Sequence, residues 1–407
     1  GWGAVVCAGT AFVVRRRALD QVGGFVESAL SEDYVTGIAL REQGWRLLYL
    51  QQKLSAGLAA ESMADFVRQR QRWANGTLQS LRLPQGPLQA RGLSLGQRLA
   101  YLEGVVHWLN NLPRLVLMLM PLSYGLLGIT PILLDQQAII ELMLPLWGTV
   151  LLSIGWLNRH SRSALLTELT SWVLTVPLVV TLISHVLGSS MGFRVTPKHR
   201  HRSQGGWAWF LALPLILLSL FNLANLLGLI QQLMRQGWGE LGPLQLGLVW
   251  AVLNLLGTMV ALRACWDPPQ SDPSPWLSLD HAAELTDAGG HRHPCRITAI
   301  SESGVELAFA TAVPPLVASS QLQWTSDVPP LPVVVLKAQP HRVALHWGDL
   351  NQRQQHSLIR WLFCSDGIWP DRRPRREVLG LLMLLKRLLL GGSTPGAFNR
   401  SVVPRRP

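Results

Sequence analysis

Two short stretches hold the residue types that transfer of a sugar would need. The first is Ser31-Glu32-Asp33; the second is Gln69-Arg70-Gln71-Arg72-Trp73. Asp33, with Glu32 beside it, offers a carboxylate that could take the proton of an attacking hydroxyl. Arg72 presents a forked guanidinium suited to a departing diphosphate. Trp73 gives a flat apolar face with a polar edge, the shape that stacks on a pyranose ring, and Gln69 adds an amide nearby. Each motif has a plainer reading. An acidic pair before a helix caps it or complements its dipole, and an Arg-Trp pair on an amphipathic helix packs its stem and snorkels its head. Their order, with thirty-six positions from Asp33 to Gln69 and an apolar region directly after, favours the chemical reading.

Helices and strands must hold these groups. The pattern predicts a helix over 33–43, ended by Gly44, then a strand over Trp45–Leu50. A second helix over 62–80 carries Gln69, Arg72 and Trp73. Val5–Val14 is rich in β-formers and leads into Arg15-Arg16-Arg17, with a turn at Gly23-Gly24. Alternating strands and helices imply an α/β domain over 1–92. The chain opens inside an apolar run, so it is expected to start within that domain.

Composition sets the class. A hydrophobic content of 48% with 15% charged residues, over 407 residues, indicates a multidomain membrane protein. The net charge of +12 does not signal nucleic acid, because the basic residues cluster between and after apolar segments. Cys7, Cys265, Cys295 and Cys364 form no CxxC pair, which argues against a zinc site or a disulfide framework.

Residues 93–265 read as the membrane part. Residues 97–112 look amphipathic and interfacial, and four stretches are long enough to cross: roughly 113–129, 138–157, 207–231 and 243–263. Charge bias places 130–137 outside and the basic loops 158–163 and 189–206 inside. A single crossing at 164–188 conflicts with that, so this stretch, with Glu168 and Pro177, reads as interfacial or broken. Trp108, Asn110, Asn111 and Arg114 are candidates to line a path, since polar groups at membrane depth face cavities. Past a Pro/Ser-rich linker, residues 266–370 show five short strand-like runs with turns between, suiting a small barrel. Residues 371–407 comprise a basic stretch, an apolar helix over 377–390 and a tail expected to be disordered.

The paired motifs resemble the TED and QxxRW motifs of the processive family 2 glycosyltransferases, the cellulose synthases above all, with Ser31 in place of the usual Thr. The resemblance implies a GT-A fold whose C-terminal part is 1–92, with Asp33 as general base, Glu32 at the acceptor end, and Gln69, Arg72 and Trp73 on the UDP diphosphate and the terminal sugar. Cys7-Ala8-Gly9-Thr10 stands where that family tends to have Phe-Cys-Gly-Ser. Phe193-Arg194-Val195-Thr196-Pro197-Lys198 resembles the FxVTxK gating loop, in which Phe193, Val195 and Thr196 would close over the donor. Ala299-Ile300-Ser301-Glu302-Ser303-Gly304 resembles the PilZ signature (D/N)xSxxG, which implies a PilZ-like barrel with Ser301 and Gly304 facing cyclic di-GMP as activator. However, Ala299 replaces the acidic or amide residue, and Arg263-Ala264-Cys265-Trp266-Asp267-Pro268 lacks the expected RxxxR pair.

By the same resemblance a Mg²⁺ or Mn²⁺ ion is expected on aspartates that precede this sequence, with no metal ligand in it, so the piece alone would be inactive. The implied function is processive synthesis of β-1,4-glucan from UDP-glucose, with export across the bacterial inner membrane. Both soluble parts would be cytoplasmic, with a periplasmic synthase subunit as partner. Other polymers (chitin, hyaluronan or a mixed glucan) and a membrane partner that has lost catalysis are the alternatives.

Overall fold

The structure is a computed structural model that describes residues 2–7, 9, 11–50, 57, 59–132, 136–158, 163–189, 204–236, 242–267, 276–316, 320–365, 377–380 and 382. The chain forms two compact units. One comprises 1–197, 206–267 and 375–388, and the other 198–205, 268–374 and 389–407.

The first unit begins with α1 (Arg16–Gln21), α2 (Glu32–Glu42) and α3 (Met63–Gln79). Two of these match the pattern closely. Gly44, at φ +83°, takes the left-handed conformation just beyond the C-terminus of α2. Ser62 caps α3, its hydroxyl accepting from Asp65 N (3.0 Å) and donating to Asp65 Oδ2 (2.7 Å). The strands expected at Val5–Val14 and Trp45–Leu50 do not form among the described residues. A β-rich run becomes a strand only when a neighbouring strand takes its N–H and C=O groups, and among the described residues neither run is paired in a ladder.

Next come α4 (Leu95–Leu109), opened by a Ser94–Gln97 capping box, and α5 (Asn111–Leu119). The continuous crossing expected over 113–129 is divided. α5 stops before Pro121, and a π turn over Ser123–Leu127 ends at Gly128, φ +64°. A proline mid-helix removes a donor and clashes with the preceding turn. α6 (Gln136–Ala138) passes through a π turn into α7 (Leu144–Leu157), followed by α8 (Ala164–Val186), α9 (Trp209–Gln236) and α10 (Gly242–Ala264).

Four helical segments among the described residues are long and apolar enough to cross a membrane: Ile140–Leu157, Thr167–Val186, Trp209–Arg235 and Leu244–Ala264. α8 is therefore one unbroken helix, not a broken one, although Pro177 lies inside it. Its Val173, Leu178 and Leu182 pack against neighbouring helices and Val179 is buried, and a proline is tolerated in a membrane helix where neighbours and local adjustment satisfy the freed backbone groups. β1 (Gly206–Trp207) and β2 (Trp266–Asp267) pair antiparallel and join the start of α9 to the end of α10.

The second unit is a closed antiparallel barrel in the order β3-β4-β5-β8-β7-β6. Its strands are β3 (Leu277–Thr286), β4 (Arg292–Ile300), β5 (Gly304–Ala308), β6 (Gln321–Gln323), β7 (Leu331–Gln339) and β8 (Arg342–Trp347). Closure leaves no free sheet edge. Leu285, Ile297, Leu307, Leu322, Val333 and Leu345 fill the interior, and α11 (Gln352–Cys364) packs Leu358, Trp361 and Leu362 onto it. Strand β3 was not expected. A bulge between Ser278 and His281 breaks its alternation, and Asp280, His281 and Glu284 hide its apolar residues among charges.

Candidate active site

Asp33 lies in the first turn of α2, half-buried, and its Oδ1 accepts from Tyr34 N at 2.8 Å. Burial pushes its carboxyl above the ordinary range. Hydrogen bonds from the backbone pull it down, Glu32 raises it again, and the positive charge of Arg72 lowers it. That last effect places Arg72 and Asp33 in one electrostatic neighbourhood. Glu32 is exposed beside them.

The chain brings α3 to this spot by a backbone approach that only glycine allows. A Cβ on Gly76 would lie 2.2 Å from Ser31 Oγ and 2.8 Å from Ser31 N. The next turn locks the contact, since Gln79 Oε1 accepts from Leu30 N (3.1 Å) and Gln79 Nε2 donates to Ser28 O (3.2 Å). The two turns before Gly76 carry Gln69, Arg72 and Trp73, which share one face at spacings of three and four. Trp73 is 38% exposed. The Arg70 guanidinium sits 4.3 Å from its ring centre and 4.8 Å from that of Phe66, stacked between the two.

Further groups frame the carboxylate. Tyr34 donates to Tyr101 O at 2.7 Å and meets the Tyr101 ring edge-on at 6.1 Å, tying α2 to α4; burial raises its phenol. Gly9, at φ +59°, runs past the site so closely that a Cβ there would be 3.4 Å from Asp33 Oδ2. Burial and then Asp33 push up the neighbouring Cys7 thiol, so it stays protonated. Behind α3, Gln71 Nε2 donates to Pro177 O (3.1 Å) and Thr181 Oγ1 (3.0 Å) of α8, and Asn75 Oδ1 meets His185 Nδ1 at 2.9 Å. The other end of α8 is held by Glu377, which accepts from Ala164 N (2.6 Å) and Ser163 Oγ (2.8 Å).

α3, which carries Gln69, Arg72 and Trp73, thus packs at Gly76 against Ser31, the residue next to Glu32 and Asp33. The loop residues Phe193, Val195 and Thr196 lie outside the described residues, as do Ala8 and Thr10. Of the path candidates, Trp108 is buried against Ala74, Leu78, Leu178 and Leu182, and Asn111 donates to its carbonyl (2.9 Å). Asn110 is exposed, and Arg114 pairs with Glu168. Among the described residues no group of three or more His, Cys, Asp or Glu side chains is placed to hold a metal ion. Sequence reasoning did not single out Gly76, Gln79, Arg70 or Tyr34. Gly76 carried a signal: a glycine inside a helix costs about 1 kcal/mol, so it marks a close approach.

In the barrel, Ser301 is 1% exposed and builds the β4–β5 turn. Its hydroxyl accepts from Ser303 N and Gly304 N, both at 3.1 Å, and shares a bond with Ser303 Oγ at 2.8 Å. Trp347 Nε1 donates to its carbonyl at 3.0 Å. A Cβ on Gly304 would fall 2.2 Å from Leu345 O, so glycine there lets β5 lie against β8.

Comparison with known proteins places the chain among relatives. The chain is 26% identical to putative cellulose synthase 2 of Komagataeibacter xylinus over 95% of its own length and 26% of that protein. It is 30% identical to the UDP-forming cellulose synthase catalytic subunit of Pseudomonas fluorescens over 71% of its length and 39% of that protein. It therefore spans about a quarter of the first relative and well under half of the second. Among solved structures, the PilZ domain of CeSA from a cellulose-synthesizing bacterium aligns with 21% of this chain and 93% of that one, at 19% identity and a TM-score of 0.19. Residues 3–223, more than half of the chain and inclusive of both motifs, match the profile of one family. The chain belongs to glycosyl transferase family group 2.

Proposed function

We propose that this chain is part of a membrane-embedded processive glycosyltransferase that builds β-1,4-glucan from UDP-glucose and passes it across the inner membrane. The observation that carries the reading is the seating of α3 on Ser31 through Gly76, with the charge of Arg72 felt at Asp33. In the reaction, Asp33 takes the proton of the terminal sugar's 4-hydroxyl, and that oxygen bonds to the anomeric carbon as the bond from that carbon to the UDP oxygen breaks. Arg72 and Gln69 hold the diphosphate through charge-assisted and amide bonds as its negative charge grows. Trp73 presents its exposed face to the acceptor ring. A divalent ion, when bound, would supply further neutralisation of the leaving group. The carboxylate and guanidinium recur in synthases of other β-glycans, so the sugar rests on the names of the relatives.

The test uses membranes containing the whole protein, supplied with UDP-glucose and Mg²⁺ or Mn²⁺. Cellulase-digestible polymer is expected, and Asp33→Asn should cut its formation by about 10²–10⁴-fold. Polymer from a different UDP-sugar only would transfer the reading to chitin, hyaluronan or another glucan. No product from any donor would favour a membrane partner without catalysis.

A further inference from the structure

The barrel unit carries a charged face that glycosyl transfer does not use. α11 has no acidic residue in its thirteen positions. Leu358, Trp361 and Leu362 belong to the barrel core. At 100° per residue, Arg353, His356, Ser357 and Arg360 fall on the opposite side, one turn apart. These four, with Gln352, line an open cleft along the helix, and Arg353, His356 and Arg360 are exposed. Arg16, Arg68, Arg114, Arg292 and Arg296 each pair with a carboxylate. Among the described residues no carboxylate pairs with Arg353 or Arg360.

Two unneutralised guanidiniums on one helix face attract an anion, and the chain itself indicates which. Four helices among the described residues are apolar and long enough to cross a bilayer. β3 starts at Leu277, thirteen positions after α10 ends at Ala264. At ~3.5 Å per residue that tether reaches at most about 45 Å, so the barrel is able to reach a membrane surface. A negatively charged leaflet draws basic side chains that come within a Debye length of it. We propose that Arg353, His356 and Arg360 form a docking face for anionic phospholipid headgroups of the bilayer that holds the spans.

The test exploits Cys364 at the end of α11, which is exposed while Cys7, Cys265 and Cys295 are buried. The full protein, labelled there with a fluorophore, is placed in nanodiscs of phosphatidylcholine alone or mixed with phosphatidylglycerol, each doped with headgroup-nitroxide lipid as quencher. Stronger quenching is expected in the mixed discs and should disappear at high salt. Each arginine contributes about fivefold to such binding, so Arg353→Gln with Arg360→Gln should weaken it about 25-fold. Both changes lie on the solvent face, and an unchanged circular dichroism spectrum would confirm an intact barrel. Equal quenching in neutral and anionic discs would overturn the proposal, as would an unaffected double variant. Displacement by dilute inorganic pyrophosphate would also overturn it, by assigning the face to a soluble phosphate ligand.

Discussion

Asp33 is held in a compromise that its chemistry requires. Burial raises its carboxyl and Glu32 adds to that, while backbone N–H groups and Arg72 pull it back, leaving it above the ordinary value. The sign of the linkage follows. With the folded value above the unfolded one, its stabilising contribution is full below the unfolded value, about 3.9, and is lost as pH rises through the folded value. The charged form is thus a cost to the fold, and Asp33→Asn should cut polymer formation by about 10²–10⁴-fold without lowering the thermal midpoint. The rate has the opposite dependence, since only the carboxylate accepts a proton. The acid limb of the rate profile should lie above the ordinary carboxylate range, and Arg72→Gln should move it higher still. Arg72→Lys should return the limb towards wild type while leaving turnover low, because an ammonium restores charge but not the fork. Initial rates from radiolabelled donor across pH test all three; a limb that ignores Arg72 would remove it from the neighbourhood of Asp33. These two residues were legible in the sequence because each carries its chemistry in its type. Gly76 and Gln79 were not, because what they supply is a close backbone approach and two bonds to residues some fifty positions away.

At the level of elements, the helices and the five strands β4 to β8 of the barrel are legible locally, whereas the strands expected at Val5–Val14 and Trp45–Leu50 are absent among the described residues and β3 carries no local signal. Ser62 before α3, Gly44 after α2 and the Ser94–Gln97 box before α4 act within a few residues, so their signals survive in sequence. Trp45–Leu50 has strand composition but no ladder partner among the described residues, whereas β3 has partners in β4 and β6 despite its charges. Pairing is a non-local fact. α8 shows the same limit: Pro177 predicts an interruption, and packing against α3 overrides it. The α2–α3 junction offers a direct measurement. Gly76→Ala forces a methyl into Ser31 and should cost about 1–3 kcal/mol, with activity lost as α3 retreats from Asp33. Gly104→Ala, whose nearest neighbour would be Thr77 Cγ2 at 3.7 Å, should be tolerated or stabilise by up to about 1 kcal/mol. Denaturation midpoints in detergent separate the two. Equal behaviour would mean that the Ser31 contact does not set the site.

Over the whole molecule, the chain leaves the first unit after Asp267, builds the barrel, and rejoins the first unit at residues 375–388, where Glu377 caps α8. α8 in turn packs on the helix that carries Arg72 and Trp73. A ligand on the barrel would therefore have two covalent connections through which to act. Whether cyclic di-GMP is that ligand depends on groups able to bind its phosphates and bases. The Ser301 hydroxyl already accepts two backbone N–H bonds and shares a third bond with Ser303, which leaves it little capacity for a ligand. Ala299 is buried and carries no polar side-chain atom. The stretch from Arg263 to Pro268 supplies one arginine where forked recognition of two phosphates calls for more. In this barrel Ser301 and Gly304 act as turn and packing residues, so titration with cyclic di-GMP should give no heat and leave glucan yield unchanged. Ser301→Ala should instead destabilise the barrel by about 1–3 kcal/mol, the cost of stranding buried donors. Calorimetry on the whole protein and a polymer assay with and without the dinucleotide decide the matter. Micromolar binding that Ser301→Ala abolishes, with the barrel still folded, would show that the turn opens to release its serine to the ligand.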